Sequence, residues 1–176
     1  MRRAAGVLAA IVVAVAAVVG VIAFFTSRDS APVSRTVSGP GRVFPDQGSA
    51  PLAPGAAPPR PYDSDPPSSG PHAPAPVTRD QTRLTDGQVL TALAAGNVVL
   101  FYGTRRAPAA LRALAVTEAG PFAPALAQAG QAVILADRPG TRGVVGAAWR
   151  HLVQVASPTD PALRAFVDAW LGVGRK

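Results

Sequence analysis

The stretch from Ala4 to Phe25 constrains this chain more than any other feature, because none of its twenty-two residues carries a charged or strongly polar side chain. Twelve of them are Val, Leu, Ile or Phe, and the others are Ala and Gly. A helix of this length reaches about 33 Å, enough to cross a hydrocarbon core of about 30 Å. A soluble core helix would keep a polar face, and this run has none. The sequence therefore predicts a single membrane-spanning helix that anchors the rest of the chain.

The residues beside this run predict its orientation. Arg2 and Arg3 precede it, whereas Arg28 on the other side is offset by Asp29. The positive-inside rule then leaves the amino terminus in the cytoplasm and sends residues 26–176 across the plasma membrane. A cleaved signal peptide is the alternative, but the run is longer than a signal core and residues 24–27 offer no small-x-small cleavage site. We expect a retained anchor with an extracytoplasmic domain.

Composition excludes several classes of function. The absence of cysteine rules out disulfides, thiol redox chemistry and thiolate metal sites. The net charge of +7 divides into +2 before the apolar run, zero over residues 26–77 and +5 over residues 78–176. The basic residues are nearly all Arg and are not interleaved with aromatic side chains, which argues against nucleic acid as a partner. This charge favours anionic lipid headgroups or an anionic surface polymer as partners. An envelope protein is a further expected partner.

Residues 26–77 contain thirteen of the nineteen prolines, together with Gly, Ser and Ala and few bulky apolar side chains. Such a composition buries too little surface to offset the entropy lost on ordering. The sequence predicts a disordered or polyproline-like stalk over residues 26–77, between the anchor (1–25) and a compact domain (78–176).

The pattern of residues 78–176 predicts an α/β domain with a small mixed sheet covered by helices, in the order αβαββα. The last helix has the clearest periodicity, with Leu163, Phe166, Val167, Trp170 and Leu171 on one side. The order also resembles a thioredoxin-like arrangement with residues 104–107 where a redox motif would sit, so any kinship is of fold alone. The other predicted elements are a helix capped by Thr85 and ended by Gly96, a strand at 98–102, a helix from Pro108, a further turn at 122–129, a strand at 131–136, and one long or two short strands over 144–155.

Residues 66–76 read PPSSGPHAPAP and residues 89–103 read VLTALAAGNVVLFYG. These two segments resemble a bacterial family of membrane-anchored envelope proteins, a domain of unknown function. The family pattern is Pro-Pro-Thr-Ser-Gly-x-His followed by Val-His-x-Leu-Glu-His-Gly and an apolar strand. The resemblance puts Thr91, Ala94 and Ala95 at the family's His, Glu and His, so it implies a member that keeps the scaffold and lacks that cluster.

Few residues are candidates for a site. His72 is a candidate metal ligand, since neutral imidazole suits Zn, Cu and Ni, although its proline-rich surroundings favour a solvated or docked residue. Arg105 and Arg106 precede a predicted helix and form a candidate anion site. A triad of Ser157, His151 and Asp168 lacks a nucleophile elbow. We assign no catalytic residue, no metal and no cofactor.

We therefore expect a non-catalytic binding or partner-subunit module of the cell envelope. The alternative is a metal-binding or hydrolytic envelope enzyme that uses His72.

Overall fold

The first helix of the domain, α1 (Asp86–Ala95), begins and ends where its capping residues require. The Thr85 side chain accepts from the backbone N–H of Gln88, and the Gln88 side chain accepts from the backbone N–H of Thr85. Gly96 ends the helix with φ of 115°, a conformation that L side chains rarely adopt. The predicted capping box and stop are confirmed in the computed structural model, which describes residues 39–175.

Five strands form one mixed sheet in the order β1-β5-β4-β2-β3. Strands β2 and β3 run parallel, and β4 lies antiparallel to both β2 and β5. A two-residue turn joins β4 to β5, with Arg150 at φ of 65°. The strands are β1 (Arg42–Val43), β2 (Val98–Tyr102), β3 (Val133–Asp137), β4 (Val144–Ala148) and β5 (His151–Val155).

Three further helices connect or cover these strands: α2 (Ala109–Ala119), α3 (Pro124–Gln128) and α4 (Pro161–Trp170). In α4 the Asp160 side chain caps the first turn by accepting from the N–H of Ala162. Four of the five residues predicted for the apolar side of α4 are buried. The helix ends at Trp170, before the predicted stop at Gly172, and the fifth residue, Leu171, is half-buried just beyond it. Residues 39–175 thus form a mixed α/β fold with a five-stranded mixed sheet and four helices, which confirms the predicted fold class at this level.

The sheet lies between two apolar clusters because side chains alternate along each strand. Val98, Leu100 and Tyr102 of β2 point to the side covered by α2 and α4. Val99 and Phe101 point to the side covered by α1 and α3. All five residues of β2 are buried, which explains why this strand reads as a continuous apolar run.

The predicted disordered stalk is corrected over residues 39–77, a segment that we call the arm. The compact unit begins at Gly39, and within the arm Ser68, Ser69, His72 and Val77 are buried. Strand β1 of the arm pairs with β5. Backbone hydrogen bonds fasten the arm where apolar side chains are scarce, so a composition argument based on apolar burial misses it. The rest of the predicted stalk, residues 26–38, and the predicted span from Ala4 to Phe25 lie outside the described residues.

The far edge of the sheet is covered by the chain that precedes α1. The Gln81 N–H donates to Leu135 O, and the Asp137 N–H donates to Thr82 O. The Asp80 carboxylate accepts from the Leu135 N–H at 2.7 Å, and burial raises the pKa of this carboxyl above its ordinary value. The edge of β3 is therefore occupied. Within residues 39–175, none of the helices has the length and apolar character needed to cross a bilayer.

Candidate binding groove

Residues 66–72, which contain the first family motif, form hydrogen bonds with an earlier part of the arm. The Ser69 hydroxyl donates to Pro45 O and accepts from the Gln47 N–H, both at 3.1 Å. The Gly70 N–H donates to Gly48 O at 2.8 Å. His72 continues the pairing, since its N–H donates to Ala50 O and its carbonyl accepts from the Leu52 N–H. The motif residues therefore hold two extended pieces of the arm side by side.

The same segment joins the arm to the sheet. The Ser68 carbonyl accepts from the Arg150 N–H at 2.8 Å, in the turn between β4 and β5. At the other end, Ala75 donates its N–H to the Thr91 hydroxyl of α1 at 3.0 Å. The two segments that the family resemblance singled out are thus in direct contact. Thr91 serves as a hydrogen-bond acceptor there, while Ala94 is half-buried and Ala95 exposed.

A groove of about 830 Å³ lies between the arm and the amino end of α1. One wall is drawn from residues 52–62, and the other from residues 72–75 and 85–87, with Ser64 also contributing. Most lining residues are Pro, Ala or Gly, so the surface is apolar and its proline-rich backbone is restricted in φ. Such a wall loses little conformational entropy when something binds to it.

His72 lines this groove and is buried, with 6 % of its surface exposed. Its Nδ1 lies 2.8 Å from Gly70 O, which fixes that nitrogen as the donor and leaves Nε2 as the acceptor in the neutral ring. His72 is therefore docked on the domain. Among residues 39–175, no three His, Asp or Glu side chains group closely enough to hold a metal ion, so His72 as a ligand stays a prediction.

Tyr62 and Asp86 supply the polar character of the groove beside His72. The Tyr62 hydroxyl donates to Pro71 O at 2.9 Å. Burial raises the pKa of Tyr62, and the negative charge of Asp86 raises it further. Asp86 is exposed in the first turn of α1, where the helix dipole favours a carboxylate. Among the lining residues Asp86 is the one carboxylate, and no Arg or Lys lines the groove.

Sequence reasoning missed Tyr62 and Asp86 as members of a site. Tyr62 is the one Phe, Tyr or Trp residue between Phe44 and Phe101, and this isolation is the signal that could have identified it. Asp86 follows the capping Thr85, and an acidic residue in the first turn of a helix is already explained by the helix dipole, so it gives no separate signal of a site. Two glycines make room for the groove wall: Gly87, where a Cβ would lie 2.7 Å from Ala73 O, and Gly70, where a Cβ would meet the Tyr62 ring.

The predicted anion site lies elsewhere, in the turn before α2. Arg105 and Arg106 are exposed, and the Thr104 hydroxyl donates to Arg106 O at 2.7 Å. Pro108 caps α2 without a side-chain hydrogen bond to the helix. Neither arginine lines the groove, and their role as an anion site stays a prediction.

The residues of the imagined triad have other partners. His151 Nδ1 lies 2.7 Å from Trp149 O, and the Ser157 hydroxyl pairs with the Thr159 hydroxyl. Asp168 lies beside Glu118, and burial, followed by the proximity of Asp168, raises the pKa of Glu118. Each of the three residues is therefore engaged in a local contact of its own.

Comparison with known proteins adds one match. A model for a family described as a protein of unknown function, DUF3105, matches residues 58–174. Comparisons with curated proteins and with solved structures gave no match. The matched residues include Tyr62, His72 and the amino end of α1, which together form much of the groove.

Proposed function

Because the chain belongs to the DUF3105 family of proteins of unknown function, we propose that it is a membrane-anchored binding module. In this proposal its groove takes an extended segment of a partner protein in the cell envelope. The observation that carries the proposal is the groove itself, of about 830 Å³, built where the arm meets α1. A concave, mostly apolar surface with a few polar groups is the usual form of a binding site.

The chemistry of the lining favours one kind of occupant. The walls are apolar, and their single charged group is the Asp86 carboxylate at the rim. A segment with small apolar side chains and one Lys or Arg would bury its apolar part along the prolines and pair its cation with Asp86. An extended segment suits the groove because its proline-rich wall is restricted in φ, and the proline nitrogens leave the groove few backbone donors for which a folded segment could compete.

Membrane anchoring is the second part of the proposal. It is supported by the uncharged run from Ala4 to Phe25 and by Arg2 and Arg3 before it. The domain would then work on the extracytoplasmic side of the plasma membrane, joined to the anchor through residues 26–38. The lack of cysteine is compatible with that compartment, since no thiol is present to be oxidised.

For the fold we propose a thioredoxin-like kinship. It is supported by the order β5-β4-β2-β3 and by the parallel pair β2 and β3, which α2 helps to connect. Residues 104–107 follow β2, where that fold carries its redox motif. With no cysteine in the chain, the kinship extends to the fold and not to thiol chemistry.

Photo-crosslinking in intact cells tests the groove. With a photoreactive side chain at Ala56, which lines the groove, we expect an adduct with an envelope protein, attached within a segment that contains Lys or Arg. The same probe at Ala113, exposed on α2, is the matched control and should give no such adduct. Asp86→Lys should lower the adduct yield about fivefold or more, because it replaces attraction by repulsion. Asp86→Glu should restore the yield.

Several outcomes would overturn the groove proposal. Equal adducts from Ala56 and Ala113 would mean that the groove has no preference. An adduct of twice the chain mass would identify a second copy as the occupant, and an internal crosslink would identify a segment of the same chain. An adduct yield that Asp86→Lys leaves unchanged would show that the occupant does not pair a cation with Asp86.

A fusion after Lys176 tests the topology. A reporter enzyme that is active only outside the cytoplasm should be active there, because the positive-inside rule sends the domain across the membrane. Deletion of residues 4–25 should abolish this activity. Activity of a reporter that works only in the cytoplasm would contradict the proposed orientation.

A further inference from the structure

His151 is a buried histidine with one unpaired ring nitrogen. Only 7 % of its surface is exposed. Its Nδ1 lies 2.7 Å from Trp149 O and so carries the proton, which leaves Nε2 as an acceptor. Within the described part of the chain Nε2 is buried and has no hydrogen-bond partner. A second proton on this ring would therefore sit on a buried N–H without an acceptor.

The first residues of the arm, 39–44, which we call the strap, are fastened around this histidine. The His151 ring stacks on Trp170 of α4 with centroids 3.7 Å apart. The Trp170 indole N–H in turn donates to Pro40 O at 2.8 Å. In the sheet, Val43 lies opposite His151. His151 thus belongs to the strand that pairs with the strap, and its ring stacks on the indole that holds the start of the strap.

We propose that His151 is an acid-sensitive lock for the strap: protonation of Nε2 releases residues 39–44 from β5 and α4. The added proton places a positive charge and an unpaired donor in a site with no room for water at that atom. The cation keeps some attraction for the indole face, which offsets part of this cost. Outward rotation of the His151 ring into water removes the remaining cost of burying the charge. The same rotation breaks the stack that positions Trp170 under Pro40.

The charged groups on the elements around His151 do not offer it a carboxylate. In the β4–β5 turn the nearest charge is Arg150, whose Nε donates to Phe44 O. On β1, the Arg42 guanidinium lies over the Phe44 ring. On α4, Arg164 pairs with Glu118. Asp168 of α4 is exposed and also contacts Glu118. Ala148 of β4, opposite His151 on its other side, carries no charge.

Burial lowers the pKa of His151, and the charge of Arg150 lowers it further. A histidine with a lowered pKa in the fastened state binds more protons once it is released. The lock is therefore fully closed above the ordinary histidine value of about 6.5, and it weakens as the pH falls below that value.

The strap is the part of the arm that this change can free. It is held to β5 by two pairs of residues, to the turn by the Phe44 N–H and carbonyl, and to α4 by Pro40. From Pro45 onward the arm is fastened independently by Ser69, Gly70 and His72. Release frees six residues, about 20 Å of extended chain. The conclusion that release lengthens the link to the membrane rests on the proposed function. The lock itself does not depend on the proposed function.

Hydrogen exchange of the full chain in detergent micelles, followed by mass spectrometry, tests the lock without reference to membrane topology or to a partner. Peptides that cover residues 39–44 are compared at about pH 7.5 and about pH 5, with rates corrected for intrinsic exchange. We expect protection of the strap to fall by about tenfold for each pH unit below about 6.5, until the pKa of His151 in the fastened state is reached, and so by at most about thirtyfold between these two pH values. Peptides of β2 should stay protected at both pH values.

The two histidines of the chain provide matched variants. His151→Phe keeps a ring on Trp170 but cannot be protonated, so the pH dependence of strap exchange should vanish. His151→Gln serves the same purpose if the phenylalanine variant folds poorly. His72→Phe changes the other buried histidine and should leave the pH dependence intact. Three results would overturn the proposal. Strap exchange could be independent of pH in the unmodified chain, or it could keep its pH dependence in both His151 variants. The third is a loss of the pH dependence in His72→Phe.

Discussion

Phe166→Ala is expected to lower the free energy of unfolding by about 3–5 kcal/mol, the range for truncating a buried phenylalanine. Phe166 has no exposed surface and lies in the cluster between the sheet and α4. It also faces two glycines, because a Cβ built at Gly146 of β4 or at Gly41 of the strap would lie within 3.4 Å of its ring. The substitution therefore leaves a cavity bounded by backbone, which cannot collapse easily.

Denaturant unfolding of the full chain in micelles, followed by tryptophan fluorescence, measures this effect. Phe166→Leu should lower the free energy of unfolding less than Phe166→Ala does, because leucine keeps most of the buried volume. Val116→Ala is the control, because Val116 is 52 % exposed on α2 and its truncation should change stability by no more than about 0.5 kcal/mol. A Phe166→Ala variant as stable as this control would show that the α4 cluster is not a packed core.

Gly70→Ala is expected to destabilise the arm by about 2–4 kcal/mol, through backbone strain and overpacking together. Gly70 has φ of 139°, and a Cβ there would lie 2.7 Å from two carbons of the Tyr62 ring. Either the Tyr62 ring moves into the groove or the Gly70 backbone leaves Gly48. Protection of residues 45–72 against hydrogen exchange should fall, and crosslinking from Ala56 should fall with it.

A second glycine separates strain from collision. Gly140 also has a left-handed φ, of 88°, but a Cβ there would meet nothing within 4 Å. Gly140→Ala should therefore cost about 1 kcal/mol, the part that comes from the backbone. If Gly70→Ala and Gly140→Ala lowered the free energy of unfolding equally, the contact with Tyr62 would not contribute to the effect at Gly70.

The elements that the sequence predicts well are those whose signals are local. Thr85 with Gln88 is a capping box within one turn, and Gly96 stops the same helix. Strand β2 is found where the apolar run predicts it, at residues 98–102. The region 144–155, predicted as one long or two short strands, forms the hairpin of β4 and β5. In each case the residues that decide the structure are neighbours in the chain.

The arm is the part that local signals could not predict. Ser69 reaches Pro45 and Gln47 more than twenty residues away, and Trp170 reaches Pro40 across the whole domain. These bonds run from side chains to backbone or between backbones, so they leave no apolar periodicity to read. Since the groove is built from the arm, its lining could not be predicted either. Among the lining residues, His72 is the one that the sequence proposes as a site residue.

The two edges of the sheet, at β3 and at β1, differ in how a strand of a neighbouring molecule could pair with them. Strand β3 already has its outer hydrogen-bonding groups engaged by residues 80–82. On the other side β1 is the last strand that the described residues contribute, and both of its residues are exposed. A strand from another molecule could pair with this part of β3 only after it displaced residues 80–82, so the chain itself shields this margin from strand addition.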